Sequence, residues 1–185
     1  DIGPALDAPL AVIGGPFVKK DLDGNDEIYF FESINIGNKA RIRKVKNGNI
    51  ETFAGTLMGN VQTGAAMEIT GFNAGPSPQT NTKIISDESG TLYVSNHGNG
   101  VDPAIRKIEN DQVSWFSTSQ APNDSGDFIQ GSLAKFSSIA DMAYSGGNLY
   151  ISDKNNSRIR ELPLNLNQNI LPYVGARTSG KEPEV

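Results

Sequence analysis

Short apolar runs alternate along the chain with turns rich in glycine, asparagine, aspartate and serine. The runs recur in three similar copies, each with a tyrosine in its second run and an arginine in its third. These recurring residues are Tyr29, Tyr93 and Tyr150, followed by Arg43, Arg106 and Arg160. Repetition about every 60 residues, with loops of variable length, is typical of proteins built from small repeated sheets. The pattern therefore predicts an all-β protein in which each copy forms four short antiparallel strands.

Local signals place the turns and show how the sheets are covered. Asn47 and Gly48 separate two apolar runs, and both residue types tolerate positive φ, which predicts a tight hairpin. Runs such as residues 29–31 and 84–85 are apolar at consecutive positions, so both faces of the sheet need cover. Sheets stacked face to face around an axis provide that cover. We therefore predict one β-propeller domain over residues 1–185, with blades at about 10–56, 80–118 and 134–176.

The repeat resembles the NHL repeat, a propeller unit with a turn ending in glycine, a Leu-Tyr-Val strand and an Arg-Ile strand. The closest copy is residues 147–160, which read Gly-Asn-Leu-Tyr-Ile-Ser-Asp-Lys-Asn-Asn-Ser-Arg-Ile-Arg. Residues 131–136 and 3–10 are similar to the segment that leads into each unit of that family. The resemblance covers almost the whole chain and implies an NHL-like propeller. It implies no single activity, because such propellers include scaffolds, RNA binders, lyases and hydrolases.

The number of copies has a consequence for partners. Closed propellers have about 4–8 blades, whereas about three copies fit in this chain. Three blades alone would leave two apolar sheet faces uncovered. We therefore expect the chain to associate with the remaining blades of a larger propeller or with a second copy of itself, which would give six blades around a two-fold axis.

Composition narrows the classes of partner. The formal net charge of −5 argues against wholesale binding to nucleic acid, which needs a surplus of lysine and arginine. No apolar run approaches the roughly 20 residues that span a bilayer, so membrane insertion is not expected. Cysteine is absent, which excludes disulfides and thiolate metal sites. The first residues lack the features of a signal peptide, yet the expected location is extracytoplasmic or secreted.

Three loops depart most from the repeat and are the candidate binding surface: residues 33–38, 96–102 and 122–128. Propeller loops commonly carry ligand sites because a rigid scaffold positions them. The candidate binding residues are Asn35, Asn38, Asn96, His97, Asn99, Asp102, Asn123, Asp124 and Trp115. Two of them have an alternative explanation, since His97 could be a solvated loop residue and Trp115 could pack between blades.

Metal and anion sites have weaker support. Asp21, Asp23 and Asn25 have the acidic density of a calcium loop, but they also fall where the repeat places an ordinary turn. The three recurring arginines could form an anion-binding ring, or each could hold a carboxylate of its own blade, such as Glu32 or Asp153. The second alternative is favoured, because an architectural role repeats with the fold.

These features favour a non-catalytic module that presents propeller loops to a protein or glycan, with no required cofactor. One alternative is a metal-dependent lyase or hydrolase of the NHL-like type, holding calcium or zinc on the axis. The other is a structural segment of a larger surface protein. Nucleophilic catalysis has no support, because the chain lacks a Gly-x-Ser-x-Gly motif and a cysteine, and its one histidine has no evident carboxylate partner in the sequence.

Overall fold

The computed structural model describes residues 2–34, 39–55, 64–65, 72–73, 82–98, 101–117 and 127–175. Within these ranges the strands form three separate antiparallel sheets, none of them closed on itself. The predicted all-β class is confirmed, and so are four main antiparallel strands in each copy. Within the same ranges, no helix has the length and apolarity needed to cross a membrane.

Each sheet is a meander of four consecutive strands, labelled here in chain order. Sheet 1 contains β2 (Val12–Lys20), β3 (Asp26–Ile34), β4 (Lys39–Lys46) and β5 (Asn49–Ala54), with short β1 (Gly3–Pro4) on β5 and β7 (Phe72–Asn73) on β4. Sheet 2 contains β8 (Ile84–Ser86), β9 (Leu92–Gly98), β10 (Val101–Glu109) and β11 (Gln112–Ser117), with short β6 (Gly64–Ala65) on β11. Sheet 3 contains β12 (Ile139–Ser145), β13 (Asn148–Asp153), β14 (Arg158–Pro163) and β15 (Leu171–Val174).

Tight hairpins join the third and fourth strands of sheets 1 and 2 and the first and second strands of sheet 3. Their central pairs have positive φ at both residues, the geometry whose twist matches that of the flanking strands. The pairs are Asn47 and Gly48 (φ 50° and 76°), Asn110 and Asp111 (49° and 57°), and Gly146 and Gly147 (56° and 83°). The hairpin predicted at Asn47 and Gly48 is confirmed.

A β-bulge recurs between the third and fourth strands of every sheet. The register shifts after an isoleucine, at Ile42, Ile105 and Ile159, and leaves one extra aromatic residue in the fourth strand. That aromatic ring meets the recurring tyrosine of its own sheet edge-on, with ring centroids about 5 Å apart. The pairs are Tyr29 with Phe53 (5.0 Å), Tyr93 with Phe116 (4.9 Å) and Tyr150 with Tyr173 (4.9 Å). The bulge thus turns an aromatic ring onto the tyrosine face of each sheet.

Sheet 2 lies between the other two sheets, and its two faces contribute to two separate apolar cores. Leu92 and Val94 pack with sheet 1 side chains such as Tyr29 and Phe31. Tyr93, between them in sequence, points to the other face and packs with sheet 3. Because successive side chains of a strand alternate between faces, one apolar run serves both cores. This is the two-sided cover that the consecutive apolar positions predicted.

Short 3₁₀ turns lead into sheets 1 and 3 at equivalent places. Ala5–Asp7 is followed by Ala8 and Leu10, and Gly131–Leu133 is followed by Ala134 and Phe136. Ala134 and Phe136 are fully buried in the core between sheets 2 and 3. Leu10, the equivalent of Phe136, is 41% exposed, because none of the described sheets packs against that side of sheet 1.

One predicted loop is shorter than expected. Residues 96–102 were interpreted as an irregular loop, whereas β9 continues through His97 to Gly98 and β10 begins at Val101. Pro103 lies within β10, although proline cannot donate to the ladder. A register shift between Val101 and Ala104 accommodates Pro103, so the pairing resumes beyond it.

The stacking of bulge aromatic residues on the recurring tyrosines can be tested in the middle sheet. Phe116 is 5% exposed, so we expect Phe116→Ala to lower the free energy of unfolding by about 3–5 kcal/mol. Urea unfolding followed by far-UV circular dichroism measures this. Leu22→Ala is the control, because Leu22 is fully exposed in a turn and its truncation should change little. Equal losses in both variants would contradict this account of the core.

Candidate functional site

The sheets have two distinct ends, which we name by their connections. The turn edge carries residues 21–25, 47–48, 87–91, 110–111 and 146–147. The connection edge is the opposite end, where β3 leads to β4, β9 to β10 and β13 to β14. The first strands of neighbouring sheets contact each other (β2 with β8, and β8 with β12), so equivalent connections lie at the same edge of the stack. The described backbone of two predicted contact loops, residues 33–34 of the first and residues 96–98 and 101–102 of the second, therefore lies at the connection edge.

The predicted binding residues divide into three groups. Five of them lie outside the described residues, namely Asn35, Asn38, Asn99, Asn123 and Asp124. Asn96, His97 and Asp102 lie in the paired ends of β9 and β10 at the connection edge, rather than in a loop. Trp115 is in β11, and only its side chain is described among these four.

Trp115 packs against an arginine of its own sheet. It is half-buried, and the guanidinium of Arg106 lies over its ring at 4.6 Å from the centroid. Arg106 is fully buried, and this burial lowers its pKa to about 10, still well above neutral pH. The charged guanidinium therefore stabilises Trp115 by a cation–π contact, as expected if Trp115 is a packing residue.

Buried carboxylates at the connection edge fix the chain that enters sheets 1 and 3. Asp153, at the end of β13, is fully buried and accepts hydrogen bonds from the backbone N–H of Ser137 (2.9 Å) and Ser138 (3.2 Å). Glu32 is the equivalent residue in sheet 1, is 2% exposed and accepts a bond from the Ala11 N–H at 3.2 Å. Each carboxylate thus anchors the residues just before the first strand of its sheet.

The recurring arginines contact these same carboxylates. Arg160 Nη1 lies 3.5 Å from Asp153 Oδ2, and Arg43 Nη1 lies 3.6 Å from Glu32 Oε2. Arg160 also donates to the carbonyl of Lys135 at 2.6 Å. The favoured interpretation, in which each arginine holds a carboxylate of its own blade, is confirmed for sheets 1 and 3.

Sheet 2 replaces this anchor with a different residue. The position equivalent to Glu32 and Asp153 is Asn96. The N–H of Lys83, just before β8, donates instead to the hydroxyl of Ser95 at 2.8 Å. Ser95 is fully buried, and its own N–H donates to the Lys83 carbonyl at 3.0 Å. In sheet 2, Ser95 therefore anchors the residue just before the first strand.

Asp127 is a second buried carboxylate, which sequence reasoning did not single out. Its side chain is 1% exposed and bonds to Arg158 Nη1 at 2.5 Å and to Arg160 Nε at 2.8 Å. The acidic residue was visible within the predicted contact loop 122–128. Its partners Arg158 and Arg160 lie 31 and 33 residues later, in β14, so no local sequence pattern pairs them with Asp127.

The end of that third loop does not lie at the connection edge. Residues 127–130 run along the outer edge of sheet 3, where the N–H of Phe128 donates to the Ile170 carbonyl at 2.8 Å and Gln130 pairs with Asn169. Phe128 has φ of 66° and is 42% exposed. Left-handed backbone is rare for a bulky residue. The described end of the third predicted contact loop, Asp127 and Phe128, therefore lies at the outer edge of sheet 3.

A cleft opens between sheets 1 and 2 at the turn edge. It consists of two adjoining cavities of about 470 and 760 Å³ that share Lys19, Glu27, Ser89 and Gly90 in their walls. Lys46 Nζ lies 2.9 Å from Asp21 Oδ2 and 3.2 Å from Glu27 Oε1. The cleft wall is therefore a network of paired charges.

Hydrogen bonds within this network set its charge state. The bond from Lys46 is the largest influence on Asp21 and, with the Asn25 amide, lowers the pKa of Asp21 to about 2 from 3.8, although burial opposes it. Burial raises the pKa of Glu27, but bonds from Tyr29 and Lys46 outweigh it, so this pKa is lowered. Burial, and then the contact with Glu27, raises the pKa of Tyr29. Both carboxylates are thus ionised at neutral pH.

The candidate calcium loop is built as a turn. Asp21 Oδ1 accepts the N–H groups of Asp23 (3.0 Å) and Asn25 (2.8 Å), and the Gly24 N–H donates to the Asp21 carbonyl at 3.1 Å. The other carboxylate oxygen of Asp21, Oδ2, forms an ion pair with Lys46. Asp87 has the same arrangement with Thr91 in sheet 2. In the part of the chain that the structure describes, no three acidic or histidine side chains converge as a metal site.

Comparison with known proteins gives a limited result. No family model matches the chain, and no curated protein matches it. A similar solved structure is a protein of unknown function from Bacteroides thetaiotaomicron, with 21% sequence identity and a TM-score of 0.49. The match covers 84% of this chain and 34% of that one, so this chain spans about a third of the length of the solved protein.

Removing the charge of Asp127 tests the buried ion-pair cluster. We expect Asp127→Asn to lower the free energy of unfolding by about 3–5 kcal/mol, because two buried guanidinium groups lose their shared carboxylate. Denaturant unfolding provides the measurement. Asp141→Asn is the control, since the Asp141 side chain is 72% exposed and should contribute little. A loss in Asp127→Asn no larger than in the control would disprove the role of the cluster.

The turn-edge network predicts a specific response to acid. The folded-state pKa of Asp21 lies below its unfolded value of 3.8, so its ionised form stabilises the fold above about pH 4 and this stabilisation is lost as pH falls toward 2. Lys46→Met should raise the pKa of Asp21 toward 3.8 and remove that part of the acid dependence. Carboxyl NMR titration and melting curves between pH 5 and pH 2 measure both effects.

Lys20→Met is the matched control for the acid experiment. Lys20 pairs with Asp26 at 2.7 Å, but both side chains are more than half exposed, and neither is among the groups that lower the pKa of Asp21. It should leave the Asp21 titration unchanged. An Asp21 pKa that stays near 2 in Lys46→Met would show that Lys46 is not the cause.

Proposed function

We propose that the three sheets are blades of an NHL-type β-propeller. Three features support this assignment. Each sheet is a four-stranded antiparallel meander, the middle sheet is covered on both faces, and the same tyrosine, bulge aromatic and arginine recur in each sheet. The segments that lead into sheets 1 and 3 also begin at the outer edge of the sheet they enter, through β1 on β5 and through Gln130 on Asn169.

We further propose that the chain is a non-catalytic interaction module whose contact surface is the connection edge of sheet 2. The observation that carries this proposal is the change of anchor in that sheet. Glu32 and Asp153 hold the entering chain in sheets 1 and 3, whereas Ser95 does so in sheet 2. Asn96, His97 and Asp102 are polar residues in the ends of β9 and β10 at this edge, next to the Ser95 anchor.

The neighbouring anchors support a binding role for this edge. The buried carboxylates Glu32 and Asp153 hold the entering segments of the sheets on both sides of sheet 2, and this pre-organisation of the neighbouring sheets would favour binding at this edge. The amide of Asn96, the imidazole of His97 and the carboxylate of Asp102 offer both donors and acceptors. These groups suit a polar partner, either a glycan or the polar surface of a protein. An extracytoplasmic location remains a prediction from the sequence.

The decisive variant replaces all three residues together, as Asn96→Ala, His97→Ala and Asp102→Ala. Binding would be measured by biolayer interferometry against panels of immobilised oligosaccharides and of purified extracellular proteins. We expect wild type to bind a member of one panel and the triple variant to lose at least about tenfold in affinity, the cost of one or two good hydrogen bonds. The melting temperature should change little.

Two controls separate binding from folding. Leu22→Ala alters a fully exposed residue at the turn edge and should leave both binding and melting unchanged. Ser95→Ala removes the anchor and should lower the melting temperature. Unaltered affinity in the triple variant, or a triple variant that melts as early as Ser95→Ala, would overturn this function.

A further inference from the structure

Exposed apolar side chains are concentrated on the two end faces of the stack. Those on the sheet 1 side are Ile2, Leu6, Leu10 and Val18, and those in the strands of sheet 3 are Ile159, Leu171, Tyr173 and Val174. Among described side chains, sheet 2 contributes no large exposed hydrophobic residue. The middle sheet shows what these sheets are like when both faces are covered, so the end faces are surfaces that lack their cover.

The two internal interfaces follow one rule. In each sheet, the tyrosine face carries the recurring tyrosine, the isoleucine before the recurring arginine and the bulge aromatic residue, and the aliphatic face is the opposite one. The tyrosine face of sheet 1 (Tyr29, Ile42, Phe53) packs on the aliphatic face of sheet 2 (Leu92, Val94, Ile108). The tyrosine face of sheet 2 (Tyr93, Ile105, Phe116) packs on the aliphatic face of sheet 3 (Leu149, Ile151, Leu162).

Each end of the stack holds one unused half of that interface. Sheet 3 presents a tyrosine face made of Tyr150, Ile159 and Tyr173. Sheet 1 has an aliphatic face made of Ile28, Phe30 and Val45, which share one face because Ile28 pairs with Val45 across the ladder. Phe30 is only 8% exposed, so the exposed apolar surface on this side is carried by Leu10 and Val18. The exposure of equivalent residues depends on the position of their sheet in the stack. Tyr173, in the end sheet, is 59% exposed, whereas its equivalent Phe116, in the middle sheet, is 5% exposed.

The segment that leads into sheet 1 supplies further residues of the aliphatic half of the interface. In the internal interface, Ala134 and Phe136 of the equivalent segment fill the space between sheets 2 and 3, and Ser117 Oγ donates to the Ala134 carbonyl at 2.9 Å. Ala8 and Leu10 occupy those positions before sheet 1. The sheet 1 end thus has every component that sheet 3 contributes to its interface with sheet 2.

We propose that two copies of this chain associate head to tail, with sheet 3 of each copy packed on sheet 1 of the other. A second copy carries the complementary half of the interface by construction. The pairing repeats a contact that the chain already makes twice within itself. A two-fold axis then generates two identical interfaces and a ring of six sheets, which is within the range of about 4–8 for closed propellers. No apolar end face remains.

The symmetric alternative fits less well. If sheet 3 packed on sheet 3 of the other copy, two tyrosine faces would meet with no aliphatic face between them, unlike both internal interfaces. The aliphatic face of sheet 1, with Leu10 and Val18, would also stay exposed. The two arrangements differ in which variants abolish association, so they can be distinguished.

The test is the solution mass by multi-angle light scattering. One chain has a mass of 19.8 kDa, so the wild type should elute at twice that mass, about 40 kDa. Tyr173→Lys with Ile159→Lys alters only the sheet 3 face, and Leu10→Glu with Val18→Lys alters only the sheet 1 side. All four residues are more than a third exposed in the single chain, so we expect each variant to be folded and of single-chain mass. Leu22→Lys, on neither face, should keep the wild-type mass.

Mixing the two interface variants distinguishes head-to-tail pairing from every symmetric arrangement. The unaltered sheet 3 of one variant can pack on the unaltered sheet 1 of the other, so the mixture should regain the two-chain mass through one interface. Circular dichroism and melting of each variant show whether it is folded. If the sheet 3 variant is not folded, Tyr173→Ser replaces it, and if the sheet 1 variant is not folded, Val18→Ser replaces it. Each of these substitutions alters the same face without adding a charge.

Several outcomes would overturn the proposal. A wild type of single-chain mass would show that the faces are covered by something other than a second copy. A mass of three or more chains would exclude a two-copy ring. A sheet 1 variant that stays at the two-chain mass, or a mixture that stays at the single-chain mass, would show that the contact is not head to tail.

Discussion

The need to cover both faces of every sheet is the constraint on which the rest of this structure depends. In sheet 2, Leu92 and Val94 point to one core and Tyr93 points to the other, so a single strand serves two interfaces. A sheet with this pattern has no face that is suited to water. Stacking neighbours on both sides is the arrangement that buries all three residues, and it explains why the exposed apolar residues lie mainly at the two ends of the stack.

Polar interactions decide how the chain moves from one sheet to the next. Burial of apolar faces is not directional, whereas Asp153 and Glu32 accept specific backbone N–H groups of the segment that enters their own sheets. Arg160 and Asp127 then form a buried cluster of charges behind Asp153. Such pairs contribute little net stability compared with an apolar replacement, but leaving one partner alone is costly. These buried pairs therefore fix one path for the chain. In sheet 2 the hydroxyl of Ser95, rather than a carboxylate, accepts the N–H of the entering segment.

Much of the fold was visible in the sequence, and less of the candidate site. The three copies, the Asn47–Gly48 hairpin and the two-sided sheets could be predicted because they rest on local turn chemistry and on the period of apolar residues. The candidate site residues were chosen because they depart from the repeat, and sequence alone could not show that Asn96 and His97 continue a strand. The pairing of Asp127 with Arg158 joins two segments that no local pattern connects.

The sequence by itself determined the all-β class, the repeat and the residues that recur in it, because strand period and turn preferences act over a few residues. Only the tertiary structure decided which face each residue occupies in the stack, and hence that Phe116 is buried while its equivalent Tyr173 is exposed. Only the tertiary structure also explains why residue 15, within β2, is a glycine. A Cβ at Gly15 would lie 2.8 Å from the Thr82 carbonyl oxygen, so glycine is required by the approach of another segment. Packing between distant segments sets these outcomes, and a linear pattern carries no record of those distances.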